Sequence, residues 1–224
     1  MRIACLHTAE SNIEVFEAAL RSLRRDDVTL RHLVRADLLA TAELQHGVTA
    51  EIIASTQAAL LALCRDADAV LLNCSTLGVA VSGDFAGAGI PVVRVDRALA
   101  EAAVQRGGKV IVLCTAETTI GPTTRLFSEM AFKSGAEVDV RLVPGAWAMF
   151  RAGDQLGYLA AIAEAAERAY ADGGSVIALA QASMAPAAPL VKSGARPLSS
   201  PATGLSAAIA AADRAFGASA VRRP

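Results

Sequence analysis

The sequence predicts an α/β protein built from two similar halves, each a parallel sheet covered by helices. Continuous apolar strands alternate with helices along the chain, which is typical of a parallel sheet buried on both faces. A stretch near the middle repeats the N-terminal stretch without gaps, which indicates an internal duplication. The length of 224 residues accommodates two small domains.

The first half contains four strand-like runs and two clear helices. Its first strand is the short apolar run Arg2–His7, which polar residues follow. Ser11 and Glu14 form a capping-box pattern for the next helix, whose apolar face repeats at helical spacing through Phe16 and Leu20. The remaining predicted elements of this half are a strand over 30–34, a helix over 49–65, and strands over 69–73 and 91–95.

Two strand ends of the second half match two of the first at one constant offset. Residues 109–119 (KVIVLCTAETT) align with residues 2–12 (RIACLHTAESN), each lying 107 positions after its counterpart. The same offset places residues 178–184 (ALAQASM) on residues 71–77 (LLNCSTL), with Gln181 opposite Cys74. A single offset at two separate places predicts a duplicated chain.

Small polar side chains collect where the predicted strands end. Ligands bind beyond the carboxyl ends of parallel strands, paired domains leave a cleft between them, and the helix starts that follow favour an anion. The sequence therefore predicts a pocket for a small carboxylate in the cleft between the halves. The strand-end residues are His7, Thr8, Asn73, Cys74, Ser75, Thr76, Cys114, Thr115, Gln181 and Ser183.

Composition and charge argue against several other classes of function. The formal net charge is −1 and aromatic residues make up 4% of the chain, so no nucleic-acid partner is expected. Neither a signal peptide nor a membrane-spanning run is recognised, and a cytoplasmic protein with no membrane partner is expected. The four cysteines have no close metal-ligand pairing, and the histidine spacing is not one that zinc sites favour. Neither disulfides nor a metal site is therefore predicted.

At these strand ends the sequence resembles the aspartate/glutamate racemase superfamily, which includes hydantoin racemases, maleate cis-trans isomerases and arylmalonate decarboxylases. The resemblance covers nearly the whole chain, because the duplicated α/β architecture is itself the family's. It implies a first half of residues 1–96 with 205–224, since the family's last helix packs back on that half, and a second half of 97–204. It also implies an enzyme that needs no cofactor, and a homodimer.

The resemblance assigns roles to several strand-end residues. Family members have a cysteine at a strand end in each half, and the two face each other across the cleft. Cys74, with the hydroxyl residues after it, matches the first of these cysteines. The CTAET turn of the second half matches a G-T-x-x-T-like turn, which implies that Thr115 and Thr118 bind the substrate carboxylate. His7 and Thr8 fall where the family keeps polar residues that orient the first cysteine.

The second half departs from the family pattern at Gln181, where the second cysteine would fall. Glutamine cannot exchange a proton at neutral pH, whereas a two-base racemase needs an acid on one face of the substrate carbon and a base on the other. Two-base racemisation is therefore not expected. The relatives with one cysteine do one-sided chemistry, as decarboxylases or cis-trans isomerases. If a second proton carrier exists, Glu117 is its first candidate.

Cys74 has two interpretations, a packed core thiol or a reagent. The repeat and the flanking Ser75 and Thr76 favour a reagent, whose pKa the following helix start and His7 are expected to lower. His7 is either a hydrogen-bonded side chain at a strand end or an assistant in catalysis. Glu117 is equally interpreted as a first-turn acid that suits the helix dipole.

The predicted function is that of a cofactor-independent enzyme that uses Cys74 at the carbon beside a carboxylate of a small acid. The acid is an amino acid, a hydantoin or a dicarboxylate. Racemisation is the default that the resemblance implies; isomerisation or decarboxylation of a diacid is one alternative, and a non-catalytic carboxylate sensor is another. The residues expected to bind or orient the substrate are Thr8, Asn73, Ser75, Thr76, Thr115, Thr118, Gln181 and Ser183.

Overall fold

Two compact units make up the chain. The computed structural model describes residues 1–81 and 89–221. The first unit contains Met1–Val95 and Gly204–Pro224, and the second contains Asp96–Thr203. These bounds lie one residue from those that the sequence predicts.

The first unit is built on a sheet of four parallel strands in the order β2-β1-β3-β4. Its central strands β1 and β3 are almost completely buried, as expected for strands that helices cover on both faces. The predicted parallel α/β class is therefore confirmed in this half. The strands are β1 Arg2–His7, β2 Thr29–Val34, β3 Ala69–Asn73 and β4 Val92–Arg94.

Helices connect these strands, as parallel pairing requires. The sequence does not predict the helix that follows β2. The helix predicted over 49–65 is present and begins at Ala50. The Thr49 hydroxyl caps it by accepting a hydrogen bond from the Ile52 N–H at 3.5 Å. The predicted capping box is wrong: α1 begins at Ser11 itself, its cap residue is Glu10, and no side chain caps it. The helices are α1 Ser11–Leu23, α2 Ala36–Leu44 and α3 Ala50–Cys64, with a 3₁₀ segment over Thr76–Val81.

The second unit repeats this plan with the strand order β6-β5-β7-β8, again all parallel. Strands β5 and β7 correspond to β1 and β3, and they form its buried centre. The strands are β5 Lys109–Cys114, β6 Glu137–Leu142, β7 Val176–Leu179 and β8 Leu198–Ser199. The helices are α4 Val95–Val104, α5 Glu117–Ser134, α6 Ala146–Arg151 and α7 Gln155–Ala171, with a 3₁₀ segment over Ala182–Leu190.

The last helix, α8 Ser200–Val221, starts five residues before the predicted start at 205. From Gly204 onward its residues belong to the first unit, where Asp213 lies 3.8 Å from Arg25 of the α1–β2 turn. Among the residues that the structure describes, no helix is both long and apolar enough to cross a membrane.

Candidate active site

The carboxyl ends of β1 and β3 bring the predicted residues of the first unit together. These strands pair in parallel, and their last register pair joins His7 to Asn73. Thr8 and Cys74 each follow directly, so they leave the sheet side by side. Ser75 and Thr76 continue from Cys74 into the 3₁₀ segment. One edge of one sheet thus carries all six first-half residues that the sequence singles out.

The Cys74 sulfur lies among hydrogen-bond donors. The backbone N–H groups of Leu77 and Thr76, together with the hydroxyls of Thr8 and Thr76, bond to it. The 3₁₀ turn that starts at Thr76 supplies the backbone donors, because the first N–H groups of a helical turn have no partner within the turn. These four donors favour a thiolate over a thiol.

Burial nevertheless raises the pKa of the Cys74 thiol, and the four hydrogen bonds only partly oppose that shift. The pKa thus moves in the direction opposite to the one expected from sequence, because desolvation of the thiolate outweighs the donors. At neutral pH the Cys74 side chain is therefore a neutral thiol. The donors around it stabilise the thiolate once that anion forms.

His7 belongs to a chain of four hydrogen-bonded side chains, which we call the Asn73–Glu17 chain. The Nδ2 of Asn73 lies 3.1 Å from Nδ1 of His7, and Nε2 of His7 lies 2.9 Å from Nδ1 of His32. Nε2 of His32 in turn lies 3.1 Å from Oε1 of Glu17. His7 is fully buried, and burial, with a smaller contribution from His32, lowers the pKa of His7 to about 3. Both of its ring nitrogens are therefore occupied, and the ring is neutral.

Cys5 lies beside this chain and completes the one group of potential metal ligands found among the described residues. The sulfur of Cys5 and a ring nitrogen each of His7 and His32 lie within 4.8 Å of one another, since Cys5 pairs with His32 in the register of β1 and β2. Cysteine and histidine suit zinc. However, Nε2 of His7 and Nδ1 of His32 already bond to each other at 2.9 Å, and burial raises the pKa of Cys5 far above its usual range. The donor set is thus satisfied as it stands, and a metal is not needed to explain it.

The second unit places Gln181 in the turn that the resemblance assigns to the substrate carboxylate. Its Oε1 accepts hydrogen bonds from the Thr115 N–H at 2.7 Å, the Thr115 hydroxyl at 2.9 Å and the Ala116 N–H at 3.4 Å. Because backbone N–H groups can only donate, these contacts identify the atom as the amide oxygen. The planar amide then turns its NH₂ group away from the turn. No described residue accepts a hydrogen bond from that NH₂ group.

This contact is the counterpart of the Thr8–Cys74 contact. Thr115 and Gln181 lie 107 positions after Thr8 and Cys74, and in each unit the threonine hydroxyl bonds to the residue at the end of the other strand. The alignment from sequence therefore pairs residues that make the same kind of contact in the two units. Thr115 is 2% exposed, so its hydroxyl serves Gln181 in this structure.

Tyr158 is a member of this second cluster that the sequence does not predict. It lies in α7, is fully buried, and its hydroxyl is 2.8 Å from the Ser183 hydroxyl and 3.5 Å from that of Thr115. A tyrosine at a helical core position, with serine and threonine at two strand ends, is the only signal that the sequence carries for it. Burial raises the pKa of Tyr158, so its hydroxyl remains a neutral donor.

The other predicted residues of the second unit are less closely engaged. Glu117 and Thr118 start α5 and are exposed, and neither belongs to the cluster around Gln181. Cys114 is fully buried; burial raises its pKa, partly opposed by the hydroxyls of Thr119 and Thr123. This is the environment of a packed core thiol.

Replacing Thr8 by valine is expected to slow the alkylation of Cys74 by iodoacetamide at pH 8. The substitution removes one donor to the thiolate, and a hydrogen bond to a charged group is worth about 1.5–3 kcal/mol. That loss raises the thiol pKa by about one to two units, so the thiolate fraction falls roughly tenfold to a hundredfold. Mass spectrometry of the Cys74 peptide gives the rate, and Thr124→Val, an exposed change on α5, is the matched control. An unchanged rate in Thr8→Val would contradict the hydrogen bond.

Replacing Tyr158 by phenylalanine is expected to lower the thermal midpoint by a few degrees. The change removes the 2.8 Å hydrogen bond to Ser183, which is worth about 1 kcal/mol, and in a chain of this size that corresponds to roughly 2–4 °C. The readout is thermal unfolding followed by circular dichroism. Tyr170→Phe, which removes a bond to the Ala195 carbonyl at an exposed site, should cost less. A midpoint equal to that of the unmodified protein would show that the buried hydroxyl contributes nothing.

Comparison with known proteins identifies related folds. The model of the Asp/Glu/Hydantoin racemase family matches residues 6–212. Allantoin racemase from Pseudomonas fluorescens is 18% identical and superimposes with a TM-score of 0.59 over 94% of this chain and 90% of that one. Aspartate racemase from Picrophilus torridus (11% identity, TM-score 0.69, 95% and 94% covered) and maleate isomerase from Pseudomonas putida S16 (15%, 0.60, 95% and 92%) share the fold too. Comparison with curated proteins finds no match.

Proposed function

Since the chain belongs to the Asp/Glu/Hydantoin racemase family and shares its fold with racemases and a maleate isomerase, we propose that it is a cofactor-independent enzyme acting at the carbon beside a carboxylate of a small acid through Cys74. The observation that carries the proposal is the set of four hydrogen-bond donors around the Cys74 sulfur. A packed core thiol needs no such donors, whereas a thiol that must become an anion during a reaction does.

The first route is proton transfer on one face of the substrate. The thiol first loses its proton to solvent, and the thiolate then takes the α-hydrogen as a proton. The electron pair of the broken C–H bond moves into the carboxylate, which becomes an enediolate. Return of a proton from the Cys74 thiol to the same face restores the acid. The thiol can exchange its proton with water in between, so the α-hydrogen is exchanged with retention of configuration.

Substrate oxygens need donors in this scheme, because charge moves onto them in the enediolate. In the first unit we assign this work to the hydroxyl of Ser75, the exposed edge of the Thr76 turn and the strand-end Asn73. For the second unit we propose that Gln181 contributes its NH₂ group, supported by the contacts that hold its oxygen against Thr115. Thr118 and Ser183 remain proposed contacts of the substrate.

The locked amide of Gln181 also favours a second candidate, cis-trans isomerisation of an unsaturated diacid. This reaction needs one thiolate and no second proton carrier. The sulfur forms a bond to one alkene carbon, and the electron pair of the double bond moves onto its neighbour and the adjacent carboxylate. Rotation about the new single bond follows. The electron pair then re-forms the double bond as the sulfur leaves. The thiolate is regenerated, and no proton is transferred.

A solvent-exchange experiment separates the two routes. The protein is incubated in deuterated water with each enantiomer of aspartate, glutamate and allantoin, and separately with maleate, and proton NMR follows the products. Loss of the α-proton signal from one enantiomer without inversion supports proton transfer, and formation of fumarate supports isomerisation. Cys74→Ala is the control in both arms. Turnover that persists in Cys74→Ala, or the absence of any reaction across this panel and its close homologues, would refute the proposal.

A further inference from the structure

The Asn73–Glu17 chain has only one possible direction when both histidine rings are neutral. A carboxylate only accepts hydrogen bonds, so Nε2 of His32 must carry the hydrogen in its contact with Glu17. Nδ1 of His32 must then accept, and Nε2 of His7 must donate to it. Nδ1 of His7 is left as an acceptor, which requires Asn73 to present its NH₂ group. The carboxylate at one end thus fixes every donor up to the strand end.

This direction excludes proton transfer along the chain to a substrate. The end of the chain is an amide, and an amide NH₂ gives up no proton at neutral pH. His7, moreover, has no free nitrogen with which to act as a base. The chain can hold geometry but it cannot deliver a proton.

The Asn73–Glu17 chain holds the position of Cys74. The side chains of His7 and Asn73 join the last register pair of β1 and β3. Thr8 and Cys74 are the very next residues on those strands, and the Thr8 hydroxyl bonds to the Cys74 sulfur. A side-chain bond immediately before the strands diverge therefore fixes the spacing of the two residues that follow.

The internal repeat supplies a comparison within the same molecule. The second unit has Gln181 instead of a thiol, and its counterparts of the chain cannot form one. Val140 takes the register position of His32 opposite β5, and both it and Ala180 are apolar. The counterparts of Asn73, His7 and Glu17 by the 107-residue offset are Ala180, Cys114 and Thr124, and the counterpart of His32 by strand register is Val140. Within the described residues, the chain thus accompanies the strand end that carries the cysteine.

We propose that Glu17 and His32 are positioning residues for Cys74, acting through a directed hydrogen-bonded chain that latches the ends of β1 and β3. Neither residue was singled out by the sequence analysis, and neither touches Cys74 directly. Glu17 sits on α1 with 39% of its side chain exposed, so it is the accessible end of the latch. The role of the positioned thiol rests on the proposed function, but the latch itself is measurable without any substrate.

The experiment combines imidazole nitrogen-15 NMR at pH 8 with alkylation of Cys74 by iodoacetamide. In the unmodified protein both His7 and His32 are expected to be Nε2–H tautomers. Glu17→Met removes the final acceptor, so His7, two bonds away, should lose its single tautomer. Cys74 should then be alkylated about threefold to tenfold more slowly, because the Thr8 hydroxyl that the latch holds beside the sulfur stabilises the thiolate. Glu17→Gln still offers an oxygen to His32 and should restore both readouts.

Three controls keep the outcomes distinct. Glu14→Met, an exposed change on the same helix, should leave both readouts unchanged, and thermal midpoints identify any variant that has lost its fold. His32→Phe, which keeps a ring beside His7 but offers no acceptor, should reproduce Glu17→Met. Any of three results would overturn the latch. The first is an Nδ1–H tautomer at His7, and the second is stoichiometric cobalt binding with a thiolate charge-transfer band that is lost in Cys5→Ser. The third is unchanged alkylation in both Glu17→Met and His32→Phe. If the latch behaves as expected but the protein neither exchanges an α-hydrogen nor isomerises maleate, the proposed function fails and the latch stands.

Discussion

Replacement of Cys74 by serine is expected to lower the rate of α-hydrogen exchange, or of alkene isomerisation, by about 10²–10⁴-fold, the usual contribution of a positioned proton carrier. Serine is nearly the same size and can accept the same hydrogen bonds from Thr8, Thr76 and Leu77. Its hydroxyl ionises far above the pH at which a thiol does, so no useful base or nucleophile forms. The measurement is the loss of the α-proton signal in deuterated water on the substrate that the unmodified protein turns over.

The matched control is Cys64→Ser, because Cys64 is a half-buried cysteine at the end of α3 with no role in the site. Its activity should stay within a factor of about two of the unmodified protein, as is usual away from cores and sites. The thermal midpoint of Cys74→Ser should also stay within a few degrees. Equal activity in both variants would mean that Cys74 is a packed thiol and that another group does the chemistry.

The fold could be predicted from sequence because its signals are local and repeated. β1 and β3 have the bounds that their apolar runs predict, since a strand buried on both faces excludes polar residues along its whole length. The sequence does not predict the helix α2 between β2 and α3, because the apolar residues of Ala36–Leu44 are spread around the helix and do not form one apolar face. The capping-box prediction is wrong for a different reason. The helix α1 begins at Ser11, the residue that the pattern predicts as its cap.

The site was only partly predictable, because its decisive contacts are between side chains far apart in sequence. The alignment of Cys74 with Gln181 was available from the repeat, but the bond from the Thr115 N–H to the Gln181 oxygen joins residues 66 positions apart. Nothing local marks Glu17 or His32, which meet only when α1 packs over the sheet. The pKa of Cys74 was expected to fall because donors were foreseeable from the turn, whereas its burial depends on packing that no motif encodes.

Gln181 places its amide oxygen in the turn that the resemblance assigns to the substrate carboxylate. Its oxygen accepts two backbone N–H groups and a hydroxyl, a set of donors that would also stabilise a thiolate. The turn is therefore already suited to an anion although its own residue is neutral. A single substitution can test whether a second thiol at this position adds chemistry on the other face of the substrate.

Gln181→Cys is expected to convert one-sided exchange into interconversion of both enantiomers. In the family pattern the two strand-end cysteines act on opposite faces of the substrate carbon, and Gln181 holds the second of those positions by the 107-residue offset. A second acid–base group contributes about 10²–10⁴-fold, so inversion, which is not expected of the unmodified protein, should become measurable by chiral chromatography.

Two further variants decide what such a result means. Gln181→Ser, which fills the turn with a hydroxyl that does not ionise, should leave exchange one-sided. The double variant Cys74→Ala with Gln181→Cys retains only the second-unit thiol, so it should exchange the enantiomer that the unmodified protein leaves untouched. Reversed enantiomer preference is an outcome that a general change in stability or binding cannot produce. Interconversion of both enantiomers by the unmodified protein at comparable rates would instead show that a second carrier already exists, and Glu117→Gln, followed by Cys114→Ser, would be the variants with which to find it.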